Sequence, residues 1–182
     1  MKILALVLIT LAIVSARDYP LFKQCDDSWG SEELGPGPKT ICRIGCLISS
    51  VSMALNSYGV QIDGQEANPS TLNQWLSQNG GYSSQLFVWG SVSSFGFSYQ
   101  GQVSAEEGKE ALDQSNVVIL NVRNGGHWVL ATSYDGDTFY VNDPGYDCST
   151  YSASEVEVAA VFSVSSSSFL AEAYNFINNF LN

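Results

Sequence analysis

Gly125-Gly126-His127-Trp128-Val129-Leu130-Ala131-Thr132-Ser133-Tyr134-Asp135-Gly136-Asp137-Thr138-Phe139-Tyr140-Val141-Asn142-Asp143-Pro144-Gly145 is the stretch that decides how this 182-residue chain folds. Trp128 to Ser133 and Phe139 to Val141 are short runs rich in β-branched and aromatic residues, and Asp135-Gly136 between them is hairpin turn chemistry. Pairing the two runs lays the start of the first beside the end of the second. His127 and Asp143 sit at those two ends, so the hairpin is expected to bring them together. His127 is also the chain's only histidine, so any imidazole chemistry must use it.

Further out, Val117 to Val122 and Val158 to Val164 are strands of the same character, and Gly125-Gly126 and Asp143-Pro144-Gly145 act as turns. The upstream half has a different period. Cys46 to Tyr58 sets Cys46, Leu47, Ser50, Val51, Ala54 and Leu55 near one helical face and stops at Gly59, so Cys46 heads a helix. Asn68-Pro69-Ser70-Thr71-Leu72 supplies a cap and a first-turn proline. Leu72, Trp75 and Leu76 carry this second helix to Asn79-Gly80-Gly81. Ser104-Ala105-Glu106-Glu107 has capping-box spacing and predicts a third, short helix toward Leu112. Beyond a polar break at Ser165 to Ser168, Phe169, Leu170, Ala173, Tyr174, Ile177, Phe180 and Leu181 make the apolar stripe of a last helix over 169–182. That helix is expected to dock on its own domain. Helices early and antiparallel strands late define an α+β fold.

Residues 1–16 carry Lys2, an apolar run from Ile3 to Val14 with a single Thr, and then Ser15-Ala16. This is the profile of a secretory signal peptide, with cleavage expected after Ala16. The run is short for a membrane span and no later stretch is long and apolar enough. A secreted or lumenal protein with one domain over 17–182 is therefore expected, and no prosegment is evident between Ala16 and Gln24. The formal net charge is -11, and loss of Lys2 carries it one unit further negative. Nucleic acid and anionic membrane surfaces are poor partners for such a chain, because phosphate binding relies on clustered Lys and Arg. In an oxidising lumen the four cysteines, Cys25, Cys42, Cys46 and Cys148, favour disulfide bonding. With Cys46 kept as a thiol, the other three allow three alternative bridges, Cys25 to Cys42 and Cys42 to Cys148 among them.

A thiol becomes a strong nucleophile when it loses its proton, which a helix N-terminus and a nearby imidazolium both favour. Cys46 has the helix N-terminus by position. His127 supplies the imidazole, and Asp143 is the carboxylate placed to orient it. Gly45, having no side chain, is expected to let a substrate backbone approach the sulfur. Gln24, in Gln24-Cys25-Asp26-Asp27-Ser28-Trp29-Gly30, carries an amide able to donate to a developing oxyanion beside the Cys46 backbone N–H. Singly, each residue has a plain structural reading: a buried cysteine, a satisfied core histidine, a turn aspartate, a surface glutamine. The combination points to a cysteine hydrolase.

A run of motifs in order supports that reading: Gln24-Cys25-Asp26 with Trp29-Gly30, then Gly45-Cys46-Leu47 with Ser49, Ser50 and Met53, and then Asn68-Pro69 with Leu72, Asn73, Trp75 and Leu76. His127-Trp128-Val129 and Asn142-Asp143-Pro144-Gly145 complete it. The chain thereby resembles the papain-like cysteine peptidases related to bacteriocin-processing, double-glycine leader peptidases. The resemblance implies a papain-like fold, with N-terminal helices carrying the nucleophile packed on a C-terminal antiparallel sheet that carries the His and Asp. It further implies Cys46 as nucleophile, His127 as base, Asp143 as its orienting acid and Gln24 as oxyanion donor. A peptide or amide is the expected substrate, cleaved through a Cys46 thioester, with no cofactor and no metal. Leader-processing enzymes of that group are usually fused to a transporter, so cleavage after a double glycine is not carried over to this stand-alone chain.

Two rival readings come from other classes. One is an inactive papain-like binding protein using Trp75, Phe87, Trp89 and Phe95 as exposed contacts. The other is a structural zinc protein with Cys42, Cys46, Cys148 and His127 as ligands.

Overall fold

The computed structural model describes residues 17–165. The signal peptide expected over 1–16 and the helix expected over 169–182 lie outside the described residues. The upstream half is helical. A single short turn of helix, α1 (Ile41–Ile44), runs through Gly45 into α2 (Cys46–Ser57), and α3 (Pro69–Gln78) follows a minimal hairpin of β1 (Gln61–Ile62) and β2 (Gln65–Glu66). Asn68 caps α3 as its spacing predicts: the Asn68 side chain accepts from the Thr71 N–H and the Thr71 hydroxyl accepts from the Asn68 N–H. A second small hairpin, β3 (Tyr82–Ser83) with β4 (Leu86–Phe87), leads into a 3-10 turn over Trp89–Phe95.

The remaining elements are β5 (Phe97–Val103), α4 (Ala105–Asp113), β6 (Val117–Val122), β7 (His127–Asp135), β8 (Thr138–Asn142), β9 (Thr150–Ser152) and β10 (Val158–Val164). They form one antiparallel sheet in the order β5-β10-β6-β7-β8-β9. β6 and β10 match the expected strands residue for residue. The hairpin pairs as its turn chemistry predicts, with Asp135 opposite Thr138 and Leu130 opposite Asn142, and a register shift between Ala131 and Ser133. Two strands of this sheet were not anticipated from the sequence, the edge strands β5 and β9, nor were the four short strands of the two small hairpins.

Every residue of β6 is buried, because both faces of the sheet are covered. Val117, Ile119, Leu130 and Phe162 share a core with Ile48, Val51, Leu55 and Leu72 from α2 and α3. Val118, Leu120, Val122, Val129 and Val161 pack instead with Ala111 of α4. The result is a helix layer on one face of the sheet, the papain-like arrangement expected, with the N-terminal end of α2 and one end of the β7–β8 hairpin left to face each other. α2 is pinned there: the Ser50 hydroxyl donates to the carbonyl of Trp128, 3.3 Å away and next to His127.

Of the possible bridges, the structure forms Cys25–Cys42, which closes a segment 17 residues long ahead of α2. Cys46 and Cys148 remain free thiols. Because Cys42 is a disulfide half, it is not available as a thiolate ligand, and the zinc set fails at that position. The bridge should act mainly on the unfolded chain. A Cys25→Ser/Cys42→Ser protein is expected to lose ~3 kcal/mol of unfolding free energy in denaturant melts.

Candidate active site

Four segments converge at the head of α2, and each is held by local chemistry readable in the chain. The first is the turn that carries Gln24. The Asp26 carbonyl accepts from the Gly30 N–H, the Asp26 side chain accepts from the Ser28 N–H, and the Trp29 indole donates to the Lys23 carbonyl. A Cβ at Gly30 would lie 2.9 Å from the Asp26 carbonyl oxygen, so the turn closes only with glycine there. Gln24 is buried in consequence. Its backbone N–H donates to Pro144 at 2.9 Å, tying this turn to the segment after Asp143.

The second segment is the junction of α1 and α2, where the structure corrects one expectation. Gly45 does not open a path to the sulfur. It is buried, and a Cβ added to it would come within 2.5 Å of the Ile41 carbonyl oxygen, so glycine is required to pack the two helices end to end. Gly45 also begins α2 without any side-chain cap, leaving Cys46 as the first helical residue, half-buried and reduced.

The third and fourth segments are the two ends of the β7–β8 hairpin. His127 and Asp143 do meet: His127 Nε2 lies 2.7 Å from Asp143 Oδ1, and both side chains are buried. Oδ1 also accepts from the Gly145 N–H at 2.8 Å and the Tyr146 N–H at 2.9 Å, while Oδ2 accepts from the Tyr151 hydroxyl at 2.8 Å. Four donors thus meet the carboxylate, three at Oδ1 and one at Oδ2. Burial alone would raise the Asp143 pKa. The hydrogen bonds from His127, Tyr146, Gly145 and Tyr151 outweigh it and hold the carboxyl below its ordinary value.

For His127, burial pulls the pKa down. The hydrogen bonds to Asp143 and Cys46, with the charges of both, more than reverse that and raise it from 6.5 to about 9. The ring is therefore shared between a carboxylate and a thiol. Nε2 is taken by Asp143, so Nδ1 is the ring nitrogen open to a partner such as Cys46. On its edge the ring meets Tyr146 in a T-shaped contact with centroids 5.0 Å apart. Gly145 packs against the ring as well: a Cβ there would stand 2.8 Å from His127 Cε1 and 3.2 Å from Gln24 Oε1. The same measurement places the Gln24 amide beside the imidazole.

All four expected residues, Cys46, His127, Asp143 and Gln24, therefore gather at one place. Gln24 differs in detail from the simple expectation, because its Nε2 already donates to the Cys42 carbonyl at 2.6 Å and its Oε1 is buried without a partner among the described residues. One N–H of the amide is left for other work. The sequence reading missed Asn121, whose buried side chain donates to the carbonyls of Gly125 and His127 and so sets the entry to β7. A polar residue inside the otherwise apolar β6 run was the available signal. It also missed Tyr151 and Tyr146, which touch Asp143 and His127, and Arg123, which touches both tyrosines.

The aromatic residues offered as exposed binding contacts are part of the fold. Trp75, Phe87, Trp89 and Phe95 pack against the helix-side core, Trp89 stacking on Tyr99 at 5.0 Å and meeting Trp128 edge-on at 5.2 Å. Among the described residues, no group of three or more His, Cys, Asp or Glu side chains is placed to hold a metal ion. Nor, among them, is any helix long and apolar enough to cross a membrane.

The family described as "Peptidase_C39 like family" matches residues 16–169, which is most of the chain. The chain belongs to that family. Among solved structures, this Peptidase_C39-like chain is similar to a double glycine motif protease from an AMS/PCAT transporter, crystallised in complex with the leader peptide. The TM-score is 0.53 at 18% identity, covering 84% of this chain and 96% of that one. At that identity the likeness concerns the fold, which is the papain-like one expected. No curated protein matches.

Proposed function

We propose that this Peptidase_C39-like protein is a cysteine peptidase that cleaves a peptide or amide bond through a thioester on Cys46, with His127, Asp143 and Gln24 completing the site. One observation carries the reading: the only imidazole in the chain is held between a buried carboxylate and a reduced thiol at the head of α2. A His127 pKa near 9 favours the imidazolium at neutral pH, the form that can give a proton to a leaving amine.

The Cys46 sulfur attacks the carbonyl carbon and the carbonyl π pair moves to oxygen. That oxyanion is received by the Cys46 backbone N–H, at the uncapped start of α2, and by the remaining Gln24 Nε2–H. Collapse breaks the C–N bond, and the His127 imidazolium gives its proton to the departing amine. Water, deprotonated by His127, then attacks the thioester and releases the acid and the Cys46 thiolate. Asp143 keeps the ring in register throughout. The leader peptide seen with the related protease supports a peptide as substrate. Residues 1–16 are proposed as a cleaved secretory signal, which places the enzyme in a secretory compartment; N-terminal sequencing of the protein from culture medium, expected to begin at Arg17, tests this.

Labelling tests the chemistry. A peptide chloromethyl ketone is expected to add once, at Cys46 and not at the second free thiol, Cys148, as read by peptide mass mapping. Label on Cys148 alone, or equal labelling in a His127→Ala protein, would remove the basis for the scheme.

The pH dependence follows from the same ring. A raised histidine pKa means that stabilisation from the charged ring is complete below its ordinary 6.5 and is lost as pH climbs through about 9. The same deprotonation removes the acid that the leaving amine needs. Turnover per enzyme is therefore expected to decline with a basic limb near pH 9, measured as kcat/KM across a buffer series. Asp143, being lowered, gives the opposite limb: its contribution is present above its ordinary value and lost on strong acidification.

A further inference from the structure

The turn between β6 and β7 reverses the chain over Asn124-Gly125, with the Gly126 N–H donating to the Arg123 carbonyl at 3.1 Å, and Arg123 ahead of it takes a left-handed backbone that the reversal itself does not require. Arg123 and Asn124 both adopt left-handed backbone conformations, φ 56° and 54°, ahead of Gly125 at 81°. That backbone is routine for the turn's Asn124 but costs an arginine on the order of 1 kcal/mol, and such strain is retained where the surrounding structure demands a particular side-chain placement. What this turn places is the Arg123 side chain. Its Nε donates to the Tyr151 hydroxyl at 3.0 Å, and its guanidinium lies 3.8 Å from the centroid of the Tyr146 ring. Tyr151 in turn donates to Asp143 Oδ2 at 2.8 Å, and Tyr146 meets the edge of His127.

We propose that Tyr151, oriented by Arg123, is a positioning residue for the Asp143–His127 pair. This rests on the reading of Cys46, His127 and Asp143 as the reacting group. The Tyr151 ring belongs to the core on the α4 side of the sheet and is buried, so phenylalanine would fill its place. The hydroxyl has a different task. Oδ1 of Asp143 is fixed by two backbone N–H groups on its own loop, but Oδ2 is met only by Tyr151 among the described residues. Without that hydroxyl the carboxylate keeps one anchored oxygen and gains freedom to swing about it, and with it goes the line on which Nε2 is held.

Arg123 completes the arrangement by occupying an acceptor site of the Tyr151 oxygen, so that the O–H proton points to Asp143; polarisation along such a chain strengthens each bond in it. Burial, with the Asp143 hydrogen bond in support and Arg123 opposing, pushes the phenol well above its ordinary range and keeps it a donor. The other charged or titratable groups facing the pair are Cys46 from α2 and Lys23 from the N-terminal turn. Lys23 Nζ donates to the carbonyls of Asp143 and Tyr146 and closes the loop from the opposite side.

The single histidine makes the test clean, because one imidazole gives one set of ring signals. In a Cys46→Ala protein the hydrogen-bonded His127 Nε2–H should appear as a far-downfield proton resonance, and adding Tyr151→Phe should abolish it through faster exchange with water. In a Cys148→Ser background, where Cys46 is the sole free thiol, Tyr151→Phe should slow alkylation by iodoacetamide at pH 7 by about tenfold. It should also move the loss of reactivity on acidification to higher pH, since Asp143 has lost a donor. Arg123→Gln, on the exposed turn, should change both readings in the same direction by less, and it decides alone if Tyr151→Phe does not fold. An unchanged downfield proton and an unchanged alkylation profile in these variants overturn the proposal. If alkylation is instead the same in His127→Ala as in the parent, the hydrolase reading fails, while the Nε2 resonance still decides whether Tyr151 holds Asp143.

Discussion

Replacing His127 with alanine is expected to lower kcat/KM by on the order of 10⁴ or more while leaving a folded protein. The size of the loss follows from the ring having no substitute. It is the chain's only histidine, and in the proposed mechanism it takes the thiol proton, protonates the leaving amine and deprotonates the attacking water. Removing it takes away all three transfers together, and effects of residues that act as a unit do not add, so a Cys46→Ala/His127→Ala protein should be scarcely worse than either single variant.

The fold should survive because the ring lies at the end of β7 beside the site rather than in the two cores, and Asp143 keeps three of its four donors. Near-UV circular dichroism should match the parent. Hydrolysis of a fluorogenic peptide within tenfold of the parent rate would show that the chemistry runs without the imidazole.

Some of this site was open to sequence reasoning and some was not, and the dividing line is whether an interaction is local. His127 and Asp143 could be placed together because a hairpin turn fixes register within 16 residues. Cys46 could be set at the head of a helix because the apolar period begins there. β6 and β10 were legible as largely apolar, Val-rich runs, β6 buried throughout and β10 from Ala159 to Phe162, whereas β5 interleaves Ser98, Gln100 and Gln102 with its apolar residues and carries Gly101 at φ 122°, the marks of an irregular edge strand. β9 is three residues long and has no periodicity to read.

Gly45 was recognised as significant but for the wrong reason, since whether a missing Cβ makes room for a substrate or for Ile41 depends on how two helices meet. The same limit applies to the cysteines: Cys25–Cys42 and Cys42–Cys148 are equally plausible as spacings, and only the convergence of the Gln24 turn with α1 selects the first. Tyr151 and Arg123 had no signal at all. They lie 28 residues apart, and their link exists only because β9 comes alongside β8 and the strained turn bends toward it.

Asp143 should separate geometry from charge in one pair of variants. Asp143→Ala is expected to reduce kcat/KM by about 10⁴, the size of loss seen when the acid of a catalytic triad is removed outright. It should also destabilise the fold by several kcal/mol, because the Gly145 and Tyr146 N–H groups, the Tyr151 hydroxyl and His127 Nε2–H all lose their acceptor at a site 1% exposed, at about 1–3 kcal/mol for each buried donor left unmet.

Asp143→Asn should be much milder, by at least a factor of ten. Its carbonyl oxygen can take the place of Oδ1, which receives three of the four hydrogen bonds, and the new amide then faces Tyr151, whose oxygen can accept from it once the hydroxyl proton turns aside. What asparagine does not replace is the negative charge, so the His127 pKa should fall from about 9 toward its ordinary 6.5 and the basic limb of the activity profile should move down with it. The ordering is diagnostic: an aspartate that acts chiefly through charge would make the two variants equally poor. One that acts chiefly by holding the ring leaves asparagine active with a displaced pH optimum, and the carboxylate's contacts here favour that second outcome.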